Sequence, residues 1–210
     1  MEGLQVALTQ SNEDGRGKRR KVAAILAGGL VVGVGTMATL ASWNDAEYAS
    51  GSFTAGKFNL QGSIDQAAFT EHATAGAAAA LTFSAPVTAM TPTDTVYSGY
   101  ALRLDKTSSN AGTVVVTAGS SVGTVTDVTY TLFTTATAGC SAASTPVTTV
   151  VPNGTALGSV GSATSFAVAK PANTTTDGVP TYLCFKVTAG AGLTQGQTGT
   201  ANWVFTATSN

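Results

Sequence analysis

Apolar and polar positions alternate along much of the chain with the period of two that indicates a half-buried β-strand. Tyr100, Leu102 and Leu104 fall on one face of such a run, and Arg103 and Asp105 fall on the other. Similar apolar or β-branched runs, bounded by Gly, Pro, Asn and Asp, predict seven further strands at residues 53–60, 81–83, 113–117, 128–132, 165–169, 179–187 and 201–205. Eight short strands of this kind predict an all-β sandwich.

The expected core consists of the apolar side chains on one face of these strands, namely Leu102, Leu104, Leu183, Phe185, Trp203 and Phe205. Residues 136–163 and 171–178 contain few apolar side chains, and we interpret both as long surface loops. Residues 67–80 are rich in alanine. They fit either a short helix capped by Asp65 or a loop, because Gly76 and several threonines weaken a helix.

The longest apolar run lies ahead of the strands. A basic cluster at residues 18–21 precedes a charge-free apolar segment at residues 22–41, an order typical of an export signal. Small residues at the end of this segment favour cleavage after Ser42, with Trp43 as the new N-terminus. The alternative is a retained membrane anchor, since twenty residues can span a bilayer, although the glycines of the segment weaken a helix.

These patterns divide the chain into three parts: a signal peptide at residues 1–42, an N-terminal segment at residues 43–62 and a β-sandwich domain at residues 63–210. Residues 43–210 carry five Lys or Arg and eight Asp or Glu, a net charge of −3. No basic patch stands out, which argues against nucleic acid as a partner.

Cys140 and Cys184 are the only cysteines of the chain. An even number of cysteines in an exported protein favours one disulfide bond between them. Two free thiols or a metal-binding pair are the alternatives, but two ligands alone do not make a zinc site.

The boundary between the apolar segment and the first strand resembles a known signature. A small residue and an aromatic residue precede Asn-Asp, and a Gly-x-Phe-x-Ala-Gly pattern follows; the positions are Ser42, Trp43, Asn44, Asp45, Gly51, Phe53, Ala55 and Gly56. The pattern resembles that of exported proteins processed by the alternate, SipW-type signal peptidase, a group that includes TasA and camelysin. Residues 182–187 and 200–205 are similar to the actinobacterial branch of this group.

This resemblance implies a jelly-roll or immunoglobulin-like sandwich and removal of the signal peptide by a SipW-type peptidase. The protein would then be secreted, to the cell surface or a biofilm matrix, and would contact the membrane only through residues 22–41 before cleavage. If the apolar segment were retained, the domain would stay anchored to the membrane.

The resemblance also implies self-association. TasA-like subunits join by donating an N-terminal strand to the sheet of the next copy, and residues 43–60 would be the donor here. Trp43, Phe53 and Phe58 are the aromatic side chains that would anchor this contact. The alternative is that residues 52–60 pair within their own domain, which a single sequence does not distinguish.

The likeness to camelysin raises a metallopeptidase as a further possibility. The chain has no HExxH motif, and His72 is its only histidine, whereas a catalytic zinc site needs about three protein ligands. A Ser-His-Asp triad would also depend on His72. Asp94, Asp105 and Asp127 do not have the spacing of a calcium loop.

We therefore expect no enzyme, no catalytic or metal-binding residues and no cofactor. The leading expectation is a secreted structural protein of the cell surface or biofilm matrix, with a fibre subunit as its specific form. A monomeric extracellular binding module or adhesin that uses its long loops is the first alternative. A camelysin-like metallopeptidase and a membrane-anchored surface domain follow it.

Overall fold

The computed structural model describes residues 13–38, 45–85 and 87–210. The chain divides into two compact units, Met1–Phe53 and Thr54–Asn210. In the first unit, helix α1 spans Glu13–Ala38, and residues 45–53 have no regular secondary structure. Within the described part of the chain, no helix combines the length and the apolar character needed to cross a membrane.

The second unit is an all-β sandwich of eight strands in two antiparallel sheets, which confirms the predicted fold class. The strands are β1 (Leu60–Ser63), β2 (Thr95–Leu104), β3 (Gly112–Gly123), β4 (Val128–Thr135), β5 (Thr148–Ala156), β6 (Phe166–Val168), β7 (Thr181–Ala189) and β8 (Gly199–Ser209). The larger sheet has the order β1-β2-β7-β4-β5, and the smaller has the order β6-β3-β8. Two short 3₁₀ helices, Ala75–Ala77 and Val87–Ala89, lie in the connection from β1 to β2.

The core lies between the two sheets and consists of alternate residues of their strands. Four of the predicted core residues are at most 2% exposed, namely Leu102, Leu104, Leu183 and Phe185. Trp203 and Phe205 of β8 are partly buried against this cluster. The ring centroid of Trp203 lies 4.7 Å from that of Phe185, and the centroid of Phe205 lies 5.5 Å from that of Tyr100. The inward direction predicted for these side chains is therefore confirmed.

Strand β5 corrects the prediction that residues 136–163 form one long loop. The strand runs along β4 as the edge of the larger sheet, and its Val150 and Val151 have no exposed surface. The register of the β4–β5 pair shifts twice, so two successive residues are buried and the alternation that indicates a strand is lost. Only residues 136–147 and 157–165 remain as connections, whereas residues 171–178 form the predicted loop.

Two predicted strands before β2 also differ. The strand expected at residues 53–60 begins only at Leu60, and Lys57 forms a single bridge with Ser108 ahead of it. Residues 81–83 form no strand, although Leu81 and Phe83 do pack against the core. Next to them, the Ser84 amide donates a hydrogen bond to the carbonyl of Tyr97 in β2 at 2.8 Å. This segment is therefore attached to the sheet, but without the ladder of hydrogen bonds that defines a strand.

The alanine-rich residues 67–80 form a connection rather than a helix of several turns. Its only regular element is the short 3₁₀ helix Ala75–Ala77. The Asp65 carboxylate accepts hydrogen bonds from the amides of Ala67 and Ala68 at 2.9 and 2.8 Å. Asp65 therefore caps a tight turn, which is the role of a capping residue without the helix that would normally follow.

Candidate binding groove and assembly edge

A disulfide bond joins Cys140 to Cys184, as the cysteine count predicted, with the two Cα atoms 5.1 Å apart. Cys184 lies in the middle of β7, on the face of the larger sheet that is turned away from the core. Cys140 lies in the connection of residues 136–147. The bond therefore fastens this connection, here named the disulfide loop, over the outer face of the larger sheet.

Gln66 holds the disulfide loop from a second side. Its side-chain amide donates to the carbonyl of Tyr100 at 3.1 Å, and its side-chain oxygen accepts a hydrogen bond from the amide of Gly139. A Cβ atom at Gly99 would lie 2.9 Å from the Gln66 side-chain nitrogen, so the absence of a side chain at Gly99 makes room for this bracket. The disulfide loop is thus fixed both covalently and by hydrogen bonds.

Beside this loop the outer face of the larger sheet forms a concave groove of about 490 Å³, here named the outer groove. Its floor comes from β2, β7, β4 and β5 through Tyr97, Lys186, Thr131, Phe133 and Thr149. The disulfide loop supplies one wall through Ser141, Ala142, Ser144 and Pro146, and β5 supplies Pro152 and Asn153.

Three floor residues form one row across the sheet. Lys186 is the register partner of Tyr97 on one side and of Thr131 on the other. The Thr131 hydroxyl donates to the carbonyl of Val151 at 2.7 Å and is buried. The side chains of Tyr97 and Lys186 make no hydrogen bond to other described residues, so their polar ends are available to a ligand.

The wall of the outer groove is ordered by its own hydrogen bonds. The Ser144 hydroxyl accepts from the amide of Ser141 at 2.9 Å, and the Ser141 hydroxyl accepts from the amide of Ala143 at 3.3 Å. Each hydroxyl keeps its own O–H as a donor. The wall therefore presents hydroxyl groups from a turn that is already formed.

Arg103, the other cation on the outer face, is fully engaged. Its guanidinium lies 2.7 Å from the Asp177 carboxylate and 4.2 Å from the centre of the Phe69 ring, and it donates to the Gln61 side chain at 3.2 Å. No other ion pair occurs among the side chains that the structure describes. Arg103 thus ties loops together, whereas Lys186 has no carboxylate within ion-pair distance in the described structure.

The residues considered for catalysis or metal binding make hydrogen bonds with neighbouring groups of the fold. The His72 ring contacts the Thr70 hydroxyl at 3.1 Å and the carbonyl of Ala77 at 3.0 Å. Asp94 accepts hydrogen bonds from the amide and hydroxyl of Thr91, which lower the pKa of its carboxyl group. In the part of the chain that the structure describes, no three His, Cys, Asp or Glu side chains come together as metal ligands.

Asp105 and Asp127 stabilise turns. Asp105 accepts from the amide and hydroxyl of Thr107 at 3.0 and 2.7 Å. Asp127 has a φ of 57° and accepts a hydrogen bond from the amide of Gly192, while its carbonyl accepts from the amide of Gly190. The Asp105 carboxylate is thus used within its own turn, and the Asp127 carboxylate by the connection from β7 to β8.

The predicted N-terminal motif is only partly described. Ser42, Trp43 and Asn44, and with them the predicted cleavage position, lie outside the described residues. The remaining motif residues are exposed and outside any strand, namely Asp45, Gly51, Phe53, Ala55 and Gly56. Phe53 is 98% exposed.

The motif ends where the chain meets the sandwich. A Cβ atom at Gly56 would lie 2.7 Å from the Ser109 hydroxyl oxygen, so a glycine allows this close approach. Phe58, one of the three predicted anchors, instead packs partly buried against the core of its own domain, near Gly112. Of the predicted anchors that the structure describes, Phe53 is therefore exposed and Phe58 packs against the core of its own domain.

Strand β8 forms an edge of the smaller sheet. It pairs with β3 on one side, and no strand of the described chain pairs with its other side. Its eleven residues contain neither a charged side chain nor a proline. Natural edge strands are often protected by such residues against pairing with another chain. Strand β8 has none of them and is called an unprotected edge here in that sense.

The fold and these surfaces define an eight-stranded β-sandwich with a disulfide-fastened loop over its larger sheet and an unprotected edge on its smaller one. Comparison with models of protein families gives no match, and comparison with curated proteins gives none either.

Proposed function

We propose that this protein is an exported structural protein of the cell surface or biofilm matrix, whose copies join by strand donation. Residues 45–56 of one copy pair with the open side of β8 in the next copy. The observation that carries this proposal is the edge of β8, which lacks the charges and prolines that normally prevent such pairing.

The proposed donor matches the acceptor in length, and its backbone is not yet paired in a sheet. Residues 45–56 are exposed and belong to no strand of the described structure, so donation would break no existing pairing. Twelve extended residues reach about 40 Å at about 3.3 Å each, and the eleven residues of β8 span about 36 Å. Main-chain hydrogen bonds would supply the affinity, and Phe53 would supply an apolar contact.

The geometry of such a contact leads to filaments. The donor and the acceptor are different surfaces of the same chain, so the contact is heterologous and a joined pair retains one unused donor and one unused acceptor. Head-to-tail repetition then extends the assembly into a filament wherever the rotation between copies does not close a ring. The proposed role is therefore structural rather than catalytic, in line with the resemblance to TasA-like proteins.

The first experiment uses the full chain exported by a host with a SipW-type peptidase. N-terminal sequencing of the released protein tests cleavage after Ser42, and negative-stain electron microscopy tests filament formation. Val204→Lys places a charge on the β8 edge and is expected to abolish filaments. The matched control is Val115→Lys on the central strand β3, because both valines are 47% exposed.

Phe53→Asp tests the donor side, with Val179→Asp as its control, because Val179 is a 70% exposed apolar side chain outside both the donor segment and β8. Filaments that form normally with Val204→Lys and Phe53→Asp would contradict strand donation. Equal loss of filaments with Val115→Lys would also contradict it, since that result would point to general charge effects. A folded monomer from the unaltered chain would favour the binding-module alternative, which the outer groove independently supports.

A further inference from the structure

We infer that the outer groove binds a carboxylated polysaccharide, with Lys186 pairing with one carboxylate of the sugar chain. This inference goes beyond the proposed assembly and does not rest on it, because the groove lies on the larger sheet and the proposed acceptor edge lies on the smaller one. Four properties of the groove carry it: the completed hydrogen bonds of its interior floor strands, the side chains that line it, its charge and its rigidity.

The backbone of the groove floor is already hydrogen-bonded. Strands β2, β7 and β4 are interior strands of the larger sheet, and each pairs with a neighbour on both sides; of the floor strands only β5 is an edge. A peptide therefore cannot pair with the row of Tyr97, Lys186 and Thr131 as an extra strand. A ligand on this row is recognised by side chains, which favours a molecule with its own hydroxyl groups on several sides, such as a sugar.

The side chains present suit a sugar ring. Tyr97 offers a half-buried aromatic face, and two prolines provide apolar surface for the C–H groups of a pyranose. Thr149, Asn153 and the hydroxyls of the disulfide loop provide donors and acceptors around it. A groove of about 490 Å³ lies within the range of about 300–1,000 Å³ that is usual for small-ligand sites.

The charge of the groove selects the kind of sugar. Lys186 is the only charged side chain among the residues that line it. Residues 43–210 carry a net charge of −3, so the protein as a whole does not attract a polyanion. Any attraction of a polyanion to the groove therefore comes from Lys186. One ammonium group matches one carboxylate, whereas phosphate sites typically combine an Arg fork, several cations or a helix N-terminus. A uronic acid unit is thus the fitting ligand class.

The groove is also preorganised, which lowers the entropy cost of binding. Its wall is the disulfide loop, which is fixed by the Cys140–Cys184 bond and by Gln66. Lys186 is two residues from Cys184 in β7, so the covalent attachment and the proposed cation lie on the same strand and the same face. Reduction of the disulfide would release the wall and is expected to weaken binding.

The test uses the full chain, kept in solution with a non-ionic detergent, and polygalacturonate as the probe. Affinity electrophoresis compares retardation in gels that contain polygalacturonate, neutral dextran or inorganic polyphosphate. The expected result is retardation by polygalacturonate alone, decreasing as salt is added, because one exposed ion pair is screened. Lys186→Met should weaken binding at least about tenfold, since a hydrogen bond to a charged group contributes on that scale.

Lys170→Met is the matched control, because it removes the same charge from an exposed residue outside the groove and should leave binding unchanged. Circular dichroism establishes that each variant is folded. If Lys186→Met does not fold, Asn153→Ala, at an exposed position of the groove, replaces it and should also weaken binding. Absence of polygalacturonate binding, equal binding by the lysine variants, or stronger retardation by polyphosphate would each overturn the inference.

Discussion

Removal of the Cys140–Cys184 bond is the perturbation for which the structure gives the clearest expected magnitude. Two forms of the protein separate the stability that comes from the cross-link from the stability that comes from the buried sulfur of Cys184. Reduction with a thiol breaks the bond but keeps both sulfur atoms. The double variant Cys140→Ala with Cys184→Ala removes the bond and also deletes the sulfur of Cys184, which has no exposed surface.

The magnitude follows from the length of chain that the bond closes. The two cysteines are 44 residues apart, and closing a loop of this length lowers the entropy of the unfolded chain enough to stabilise the fold by about 4 kcal/mol at 25 °C. The reduced protein should lose about this free energy of unfolding. The double variant should lose about 1 kcal/mol more, because a buried sulfur is similar in size to a methylene group.

Urea denaturation of the full chain in non-ionic detergent, monitored by tryptophan fluorescence, measures both losses. The slope of the unfolding free energy against urea should rise in both forms, since an unfolded chain without the cross-link exposes more surface. A loss of less than about half the expected value on reduction would refute the reasoning. It would mean that the unfolded chain keeps residual structure without the bond, or that the disulfide loop gains entropy in the reduced folded state.

Three further predictions test the packing and the turns. Leu104→Ala empties a site with no exposed surface and should lower the unfolding free energy by about 2–5 kcal/mol, whereas Val122→Ala, at a position that is 74% exposed, should leave it nearly unchanged in urea denaturation. Gly99→Ala should destabilise the fold by displacing Gln66, and adding Gln66→Ala should recover much of the loss; additive effects in the double-mutant cycle would contradict this contact. Hydrogen bonds from the Ser63 hydroxyl and the amides of Ala67 and Ala68 lower the pKa of Asp65 from 3.8 to about 2. The stability that these hydrogen bonds give the fold should be complete above about pH 4 and lost as the pH falls towards 2. Carboxyl NMR titration of Asp65 measures the pKa, and Asp65→Asn is the control that lacks the titrating group.

The strands that the sequence predicts well are those with one buried face and regular pairing. Residues 100–104 and 183–187 lie in β2 and β7, whose register is unbroken over eight pairs. Regular pairing preserves the alternation of apolar and polar side chains, and this alternation is the signal that a single sequence carries. The disulfide could also be predicted, because it depended on the cysteine count and on export rather than on geometry.

The predictions were wrong where pairing is irregular or depends on distant segments. In β5 the buried Val150 and Val151 are adjacent, so no alternation marks the strand among its polar neighbours. Residues 81–83 do alternate and do cover the core, yet they lack the ladder of hydrogen bonds that would make them a strand. Local patterns give side-chain direction in both cases, and tertiary contacts decide whether the backbone pairs.

In the outer groove, too, the sequence predicts the direction of side chains but not the features that depend on tertiary contacts. The outward direction of Lys186 could be predicted from the alternation in β7. The walls could not, because they come from the disulfide loop and from the irregular strand β5, whose positions depend on a covalent bond and on shifts of register. Phe133 illustrates this: it points away from the core, yet it is only 4% exposed in the groove floor. No periodicity in the sequence indicates that kind of burial.

The chain enters and leaves the sandwich beside one short connection. On entry, the amide of Ser109 donates to the carbonyl of Lys57 at 2.8 Å. On exit, the amide of Asn210 donates to the carbonyl of Ala111 at 3.1 Å. Because these attachments are two residues apart in the connection from β2 to β3, the ends of the domain are neighbours, as in proteins that tolerate circular permutation. A linker from Asn210 to residue 45, with new termini in the connection from β5 to β6, would make the N-terminal segment internal to the chain. The sandwich could then fold without the unattached N-terminal end that the proposed strand donation uses.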